Sequence, residues 1–215
     1  MIYKISTHLK KYNIYHKVIR NSIKTRRSKV PVPIFNNDLA YLSGVIVGDG
    51  AMVISPRKRG GNHYVLSIFN GSKEYLMYLN SLFINYFNHE GRIYKDKRNE
   101  VYSLIIEVVA IFFYFVNIGL PTGKSEEEFV PKIIKNNKNY FRQYIGGLVD
   151  TDGHVSSPKR LHLKQKSKNL LLEIVGFLNS NGVACRYPKV NYTDNKPYWY
   201  ILFDNKVPLR LKSPL

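Results

Sequence analysis

The chain has 215 residues and is strongly basic, because 33 Lys and Arg against 15 Asp and Glu give a net charge of +18. Its 44% hydrophobic content is enough for one compact domain or two small halves, which excludes a disordered basic tail. Such a charge favours a polyanionic partner, either nucleic acid or an anionic membrane. The longest apolar run, 108–116, is about half of a bilayer span. We therefore expect a nucleic-acid partner and no membrane.

Other compositional features narrow the class further. The single cysteine, Cys185, excludes an intramolecular disulfide and a thiolate-rich zinc site. The six histidines are scattered, without a pair at metal-ligand spacing on one helix, so a zinc finger is not expected. The opening MIYK lacks the hydrophobic region of a secretory signal. This favours a prokaryotic or archaeal cytoplasm, with an organelle as the alternative.

The first segment, 1–36, contains nine Lys or Arg and no acidic residue. It ends in Val-Pro-Val-Pro at 30–33, which is typical of an extended linker. We predict a basic N-terminal arm and linker that contacts DNA. A transit peptide has the same charge pattern and is the competing interpretation.

From Asn37 onward the chain repeats one pattern. The first copy reads YLSGVIVGDG from Tyr41 to Gly50, and the second reads YIGGLVDTDG from Tyr144 to Gly153. In both copies a tyrosine, a glycine and the final Asp-Gly fall at the same positions, and the apolar residues between them match in kind.

Each copy is followed by the same predicted order of elements, namely a hairpin, an amphipathic helix and a second hairpin. In the first copy these are strands Met52–Ser55 and Tyr64–Phe69, a helix opened by Ser72, strands Gly91–Lys95 and Val101–Val108, and a further helix Ala110–Ile118 stopped by Gly119. In the second copy they are strands Val155–Ser157 and Leu161–Gln165, a helix Ser167–Asn179, and strands Ala184–Val190 and Tyr198–Phe203. The pattern predicts an α+β fold of tandem αββαββα units related by a pseudo-twofold axis. The predicted division is an arm at 1–36, a first half at 37–123, a linker at 124–139 and a second half at 140–215.

The repeated segment has the residue types that a paired-carboxylate site needs. Gly44 and Gly48 lie on one helix face, as do Gly147 and Thr151 in the second copy, and such small faces let two helices approach closely. Each helix then ends in one aspartate beside a glycine that can stop it.

Those two acids, Asp49 and Asp152, are expected to be unfavourable there. Helix C-termini carry partial negative charge, and the two carboxylates repel each other unless a cation lies between them. A hard divalent cation such as Mg²⁺ resolves this conflict and can serve phosphodiester hydrolysis. A single Asp-Gly after an apolar helix is usually only a turn. Its occurrence twice, each time before strands in a basic chain, favours the catalytic interpretation.

The two segments resemble the paired motifs of the LAGLIDADG homing endonucleases, in the single-chain form of archaeal or intron-encoded type. The stretch 129–134 leading into 140–142 also resembles the family's approach to its second motif, and the likeness covers 37–203. The resemblance implies a monomer whose two saddle-shaped antiparallel sheets straddle the DNA major groove around two central motif helices. It also implies cleavage of both strands across the minor groove, with divalent metal at Asp49 and Asp152. We further expect that Mn²⁺ or Ca²⁺ can substitute for Mg²⁺ in binding.

The second motif differs from the first at one position. Asp150 stands where the first copy has Val47, and it matches the earlier acidic residue of the family name. Only Asp152 is in register with Asp49, so we predict that Asp152 is catalytic and that Asp150 is structural. The second copy also lacks an obvious closing helix, which puts in doubt any basic residue that the family would place there.

The resemblance implies three further catalytic residues. A polar residue at the end of the second strand corresponds to Asn70 in the first half and to Gln165 in the second. Asn70 can equally be a helix N-cap. Lys124 resembles the family's lysine after the first-half helix, although most lysines in such a basic chain are solvated surface residues.

Strand alternation suggests which side chains face DNA. Arg160, His162 and Lys164 alternate with two leucines, and we expect both sheets to be basic on this face. The predicted DNA-binding residues are Arg57, Lys58, Arg59, Arg92, Tyr94, Lys95, Lys97, Arg98, Lys159, Arg160, His162, Lys164, Arg186 and Lys189.

The function that this combination predicts is a site-specific double-stranded DNA endonuclease of the homing type, acting on a long asymmetric target. Two alternatives keep the fold without requiring the chemistry. One is an RNA-binding intron maturase, with intron RNA as its partner, and the other is a DNA-binding regulator that does not cut. The paired aspartates favour cleavage, although a maturase can retain both.

Overall fold

The computed structural model of the chain describes residues 1–203, except for 13, 27, 59, 97–99, 124–127, 157–159 and 194–195. Within this described part there are seven helices and eleven strands. The helices are α1 (Ile2–Lys11), α2 (Asn37–Asp49), α3 (Lys73–Phe87), α4 (Val109–Ile118), α5 (Lys132–Lys135), α6 (Lys138–Asp152) and α7 (Lys168–Ser180). The strands are β1 (His16–Ile19), β2 (Ser22–Thr25), β3 (Lys29–Pro31), β4 (Gly50–Pro56), β5 (Asn62–Asn70), β6 (Arg92–Lys95), β7 (Tyr102–Ile106), β8 (Gly153–Ser156), β9 (Arg160–Gln165), β10 (Lys189–Thr193) and β11 (Lys196–Leu202). None of these helices combines the length and the hydrophobicity that crossing a bilayer requires.

The strands form two four-stranded antiparallel sheets with the same internal order. The first sheet has the order β4-β5-β7-β6, and the second has the order β8-β9-β11-β10. In each, the second strands of two successive hairpins pair at the centre, and a helix connects the hairpins. This confirms the predicted α+β fold of two αββαββ units. Within the described residues, the closing helix of a unit is seen only in the first, as α4.

Alternation along the strands determines which face of the first sheet meets the core. Met52, Leu66, Leu104 and Ile106 are buried and belong to one hydrophobic core that also includes residues of α3 and α4. Their neighbours along each strand point to the opposite side of the sheet. We call this side, which faces away from the helices, the outer face.

Capping residues fix the ends of the peripheral helices. Ser72 and Ser167 are the N-caps of α3 and α7, and their hydroxyls accept hydrogen bonds from the backbone N–H of Tyr75 (3.1 Å) and Leu170 (3.2 Å). Gly119 ends α4 in the left-handed region at φ 113°, where a side chain would be strained. These three ends were predicted from the sequence.

One strand of the second sheet was predicted wrongly. The expected strand Ala184–Val190 is replaced by β10, Lys189–Thr193. Pro188 has no N–H to donate to a ladder, so regular pairing with β11 begins only after it. Before it, pairing is limited to an isolated bridge between Cys185 and Phe203.

The N-terminal segment is folded rather than extended. It forms α1 and a three-stranded antiparallel sheet of β1, β2 and β3. Ile5 and Leu9, four residues apart, lie on one side of α1 and are fully buried, and α1 contacts α4. Ile23 and Val30 of the small sheet are also buried in the same core. The basic residues of this segment therefore lie on a unit that packs against the first half.

The two motif helices, α2 and α6, pack together at the centre of the molecule. A Cβ on Gly44 would lie 2.1 Å from the carbonyl oxygen of Tyr144, and a Cβ on Gly147 would lie 2.2 Å from that of Tyr41. Each glycine therefore faces the backbone of the opposite helix. Next to Asp49, a Cβ on Gly48 would lie 2.0 Å from the hydroxyl of Thr151. The backbones of the two helices are thus in contact, and larger side chains at these positions would keep them apart.

Replacing a glycine in this contact should be strongly destabilising. We expect Gly147→Ala to lower the free energy of unfolding by about 3 kcal/mol or more, because neither backbone can move away without disturbing the core. Gly176→Ala is the matched control, since Gly176 lies within α7 and a Cβ there would meet nothing within 4 Å. That change should stabilise the protein by about 0.5–1 kcal/mol. Urea unfolding of both variants tests this, and equal effects would contradict the backbone contact.

Candidate active site between the central helices

Each central helix ends in the aspartate of its motif. Asp49 is the last residue of α2 and Asp152 is the last residue of α6, and each is followed directly by the first strand of its sheet. Gly50 and Gly153 follow them with extended backbone rather than in the left-handed region. A Cβ at either glycine would lie within 2.3 Å of a carbonyl oxygen in the preceding turn. Glycine is needed here because the chain passes close to its own helix end.

The two carboxyl groups influence each other. Burial and the nearby charge of Asp49 together raise the pKa of Asp152 to about 6, although the hydrogen bond from Gln165 and the charge of Lys166 lower it. Burial also raises the pKa of Asp49, which the hydrogen bond from Asn70 opposes. The cause is the one expected for two acids brought together in a half-buried place. A cation between them would favour both ionised forms.

Each carboxylate accepts a hydrogen bond from an amide side chain at the end of a neighbouring strand. Gln165 Nε2 donates to Asp152 Oδ2 at 2.6 Å, and Asn70 Nδ2 donates to Asp49 Oδ2 at 3.3 Å. Asn70 also accepts from the backbone N–H of Ser72 at 2.9 Å through its Oδ1. The alternative that Asn70 is the helix N-cap was wrong, because Ser72 occupies that position. The amide of Asn70 instead connects the end of β5 to Asp49 and to the backbone of Ser72. In both halves the amide fixes one carboxylate oxygen and leaves the other available.

A cleft of about 580 Å³ opens beside Asp152. It is lined by Gln165 and by two residues that the sequence did not single out as site residues, Glu128 and Lys166. Burial and the charge of Asp152 raise the pKa of Glu128 to about 7, while Lys166 lowers it. Glu128 belongs to a short acidic run that resembles a solvated linker. Its position in the segment that leads to the second motif, in a chain with few acids, was the signal that could have identified it.

The backbone of Glu128 is anchored close to the second strand. Its N–H donates to the hydroxyl of Ser167 at 3.0 Å, and that hydroxyl donates to its carbonyl oxygen at 2.8 Å. Lys166 and Ser167 have counterparts in the first half, Gly71 and Ser72, because each pair directly precedes a helix. The first half therefore has glycine where the second has lysine, and the two halves of the site differ in charge.

The remaining acid of the second motif has a different partner. Asp150 Oδ2 accepts a hydrogen bond from the Tyr41 hydroxyl at 2.7 Å, and this hydroxyl is also 2.9 Å from that of Tyr75. Asp150 thus connects α6 to α2 and α3 of the first half. Its position favours the structural role predicted for it. The counterpart in the first half, Val47, cannot make such a bond.

The donor set of the site fits a hard divalent cation shared with a substrate. Asp49 and Asp152 supply carboxylate oxygens, the ligands that Mg²⁺ prefers. Within the described ranges, no group of three or more His, Cys, Asp or Glu side chains could hold a metal ion by itself. The other ligands would then be water and phosphate oxygens, which is the usual arrangement for Mg²⁺ in enzymes that act on phosphate esters. The predicted metal ligands are thus compatible with the geometry.

On the second sheet, several predicted DNA-binding residues share the outer face. His162 and Lys164 of β9 and Lys189 of β10 lie there, since Lys164 and Lys189 both pair with Tyr200 of β11. Lys164 and Lys189 are exposed. Arg160 is the first residue of β9, and its side chain is outside the described part of the structure. Arg186 is exposed in the connection before β10. This outer face is basic, as expected.

The outer face of the first sheet is not basic over its described strands. Arg92 is its single Lys or Arg there, and its guanidinium forms an ion pair with Glu107. Glu107 also accepts a hydrogen bond from His63 at 2.7 Å. The expectation of two basic sheets was therefore wrong for this part of the chain. Alternation gave the face correctly, but the residues on it are mostly small or apolar.

The other predicted DNA-binding residues of the first half lie at its periphery. Tyr94 shares the outer face with Arg92, whereas Lys95 has the opposite parity and pairs with Glu100 at 3.2 Å. Arg57 and Lys58 are exposed in the turn after β4. The remaining predicted residues, one catalytic and four DNA-binding, lie outside the described residues: Lys124, Arg59, Lys97, Arg98 and Lys159.

Comparison with known proteins identifies relatives of this architecture. Residues 139–210 match the family model of the LAGLIDADG-like domain. Homing endonuclease I-DmoI of Desulfurococcus mucosus is 27% identical over 148 residues, which are 67% of this chain and 70% of that enzyme. The crystal structure of I-DmoI in complex with DNA and Ca has a TM-score of 0.61 at 23% identity, covering 77% of this chain and 82% of that chain. I-DmoI in complex with DNA and Mn gives a TM-score of 0.59 with 77% of this chain and 87% of that chain covered. These solved structures share the fold.

Longer proteins contain a similar segment. Glutamine–fructose-6-phosphate aminotransferase of Methanocaldococcus jannaschii is 26% identical over 90% of this chain, which spans only 17% of that protein. The DNA polymerase of Thermococcus hydrothermalis is 29% identical over 77% of this chain, which spans 9% of the polymerase. A unit of this kind therefore occurs within much longer proteins that have unrelated activities.

The raised pKa of Asp152 should make the stability of the metal-free protein depend on pH. Its pKa moves from 3.8 to about 6 on folding, so the folded state holds the proton more tightly. The protein should gain stability as the pH falls from 7 towards 4, with this group contributing at most about 3 kcal/mol. Asp152→Asn should remove this part of the slope, whereas Glu100→Gln, which changes an exposed acid, should not.

Thermal unfolding from pH 4 to 8 measures these slopes. Adding Mg²⁺ or Ca²⁺ should raise the melting temperature of the wild type more at pH 8 than at pH 5, because protons compete for the carboxylates. The increase should be absent in Asp152→Asn. Identical slopes in the wild type and Asp152→Asn would contradict the assignment of the raised pKa to this group.

Proposed function

We propose that this chain is a member of the LAGLIDADG family in its single-chain, two-motif form, and that it is a site-specific DNA endonuclease that depends on a divalent metal. The observation that carries the proposal is the pair of carboxylates delivered to one place by two packed helices. Asp49 and Asp152 each have an amide donor in the equivalent position. Two such half-sites suit the hydrolysis of two phosphodiester bonds, one on each strand.

The proposed division of the chain follows from this. The first half, 37–123, supplies Asp49 and Asn70, and the second half, 140–215, supplies Asp152 and Gln165. The segment 1–36 and the linker 124–139 are additions to the two halves. Because each half carries one carboxylate, one chain suffices for both cleavages, and we propose that the protein acts as a monomer. Action in the cytoplasm, with an organelle as the alternative, is part of the same proposal.

The side chains of the site have separate roles in the proposed reaction. Asp49 and Asp152 would hold the magnesium ion, which would supply the activation of water and the stabilisation of the leaving oxygen. Gln165 and Asn70 hold one oxygen of each carboxylate, so that the other keeps its orientation towards the phosphate. The ammonium groups of Lys164 and Lys166 line the cleft at Asp152 and would attract the phosphate there. Lys124 is proposed for the same role. It follows Gly123, whose N–H donates to the Met52 carbonyl oxygen at 2.8 Å in the wall of this cleft.

The DNA would lie along the outer faces of the two sheets. Each sheet begins directly after a catalytic aspartate, so its outer face extends from the site. The exposed Lys164 and Lys189 of the second sheet suit contacts with phosphates and with base edges. I-DmoI was crystallised with its target DNA and with Mg, Mn or Ca, which supports the partner and the metals proposed for this chain.

A maturase and a non-cleaving regulator remain the competing functions. Both could use the same sheets, but neither needs two half-buried carboxylates close enough for the charge of one to act on the other, with matched amide donors. The cost of bringing these acids together is expected only where a cation binds. The geometry therefore favours cleavage.

The test is selection of cut sites from a randomised duplex-DNA library in the presence of Mg²⁺. We expect the wild type to cut both strands at one long motif. Asp49→Asn and Asp152→Asn should each lose at least about 10³-fold in double-strand cutting and still bind the selected site, because the change is confined to the carboxylates. The control is Asp150→Asn, whose side-chain oxygen can still accept from Tyr41 and which should continue to cut.

Two results would contradict the proposal. One is specific binding of DNA or structured RNA by the wild type with no cutting in Mg²⁺, Mn²⁺ or Ca²⁺. The other is cutting that survives both substitutions and is lost in Asp150→Asn. The first would favour the maturase or regulator, and the second would move the catalytic role to another carboxylate.

A further inference from the structure

The outer face of the first sheet carries an apolar patch. Its members alternate with core residues along β4, β5, β6 and β7, and the strand register places them next to one another around two serines. They are Ala51, Val53, Val65, Phe69, Tyr94 and Ile105. Phe69 lies opposite Ser103, which in turn lies opposite Tyr94, and Val53 lies opposite Val65.

These side chains are not part of the protein core. Val53 and Phe69 are 44% exposed and Tyr94 is 49% exposed, which is high for apolar residues within the strands of a sheet. Val65 and Ile105 are partly exposed and do not pack against the core cluster. Folding alone therefore does not account for the patch.

The patch is continuous with the candidate active site. Ala51 and Val53 line the same cleft as Asp152 and Gln165. Phe69 directly precedes Asn70, which donates to Asp49. Duplex DNA held at the two aspartates and following the first sheet would lie over the patch. Continuity with the proposed DNA interface, in a chain with a net charge of +18, identifies its occupant as DNA.

The chemistry of the patch suits contact with one kind of group on DNA. It offers few donors, and the neighbouring cation Arg92 is held by Glu107. Over the described strands of this sheet, the outer face has no other Arg or Lys with which to read guanine. The major groove presents one apolar group, the 5-methyl of thymine, which favours contact with apolar side chains. The second sheet is different, since its outer face carries Lys164 and Lys189.

We infer that the first sheet reads its half of the target through the methyl groups of thymines, so that this half-site is rich in A·T pairs with thymine methyls facing the sheet. The second sheet reads the other half through hydrogen bonds from charged side chains. The inference rests on the proposed function, because it assumes that the sheets contact duplex DNA. It adds the base preference and the residues that determine it.

Uracil in place of thymine tests the inference directly, because it removes the methyl and keeps the base pair. Three duplexes of the selected target would be compared in Ca²⁺ by competition binding: unmodified, with uracil throughout the half contacted by the first sheet, and with uracil throughout the other half. The half of the target that the first sheet contacts is identified with a DNA-cleaving iron chelate attached to Ser55→Cys, on the outer face of β4. The chelate should label this cysteine alone, because the native Cys185 is buried. We expect a loss of about fourfold in affinity for each contacted methyl in the first half. The second half should change less than twofold.

Serine substitutions within the patch and outside it test whether the patch causes the effect. Val53→Ser and Phe69→Ser should weaken binding to the unmodified target and reduce the discrimination between thymine and uracil. Val155→Ser is the control, because Val155 is also an exposed strand valine, at 63%, but has the opposite parity in the second sheet. It should retain the full discrimination.

Three other outcomes would each contradict either the inference or the proposed function. Equal binding of the three duplexes, or discrimination that persists unchanged in Phe69→Ser and Val53→Ser, would overturn the inference while leaving the endonuclease intact. Self-association of the free protein that Phe69→Ser abolishes would also overturn it, since a second copy would then cover the patch. Failure of the wild type to bind any specific duplex would instead refute the proposed function.

Discussion

The site depends on backbone contact between the two motif helices. Gly44 and Gly147 each face a carbonyl of the opposite helix at a distance that leaves no room for a Cβ. This close approach brings the C-terminal ends of α2 and α6 together, and each end carries one aspartate. The sheets start at the same point, so the helix contact also sets their positions relative to the carboxylates. Small residues in the motif are therefore a geometric requirement of the site.

The same contact creates an electrostatic conflict. Two acids are half-buried at helix ends that are themselves partially negative. Burial and the nearby charge of Asp49 raise the pKa of Asp152 to about 6. Amide donors from Gln165 and Asn70 reduce the cost but do not remove it. A divalent cation between the carboxylates would remove this cost, and phosphate oxygens of the substrate would complete its coordination. The arrangement that is unfavourable for the free protein is thus favourable for the proposed complex.

The two halves share a fold but differ in their chemistry. Lys166 in the second half corresponds to Gly71 in the first, and Asp150 corresponds to Val47. Glu128 lines the cleft beside Asp152, which adds a further acid to that half. The outer faces differ as well, since one is apolar and the other basic. A pseudosymmetric protein with such different halves suits a target whose two half-sites have different sequences.

The sequence by itself determined the repeated motif, the order of the elements, the two aspartates and the amides beside them. Glycine spacing, strand alternation and helix caps are local signals, and they can be recognised in the sequence without the tertiary structure. Pro188 was also a local signal for the start of β10, but the strand was predicted to begin at Ala184. Only the tertiary structure decided that the N-terminal segment packs on α4, that Glu128 reaches the cleft, and that Glu107 holds Arg92. These are contacts between residues far apart in the chain, and no local pattern encodes them. For the same reason, the sequence predicted which residues of the first sheet face outwards, but it did not predict that Glu107 neutralises Arg92 on that face.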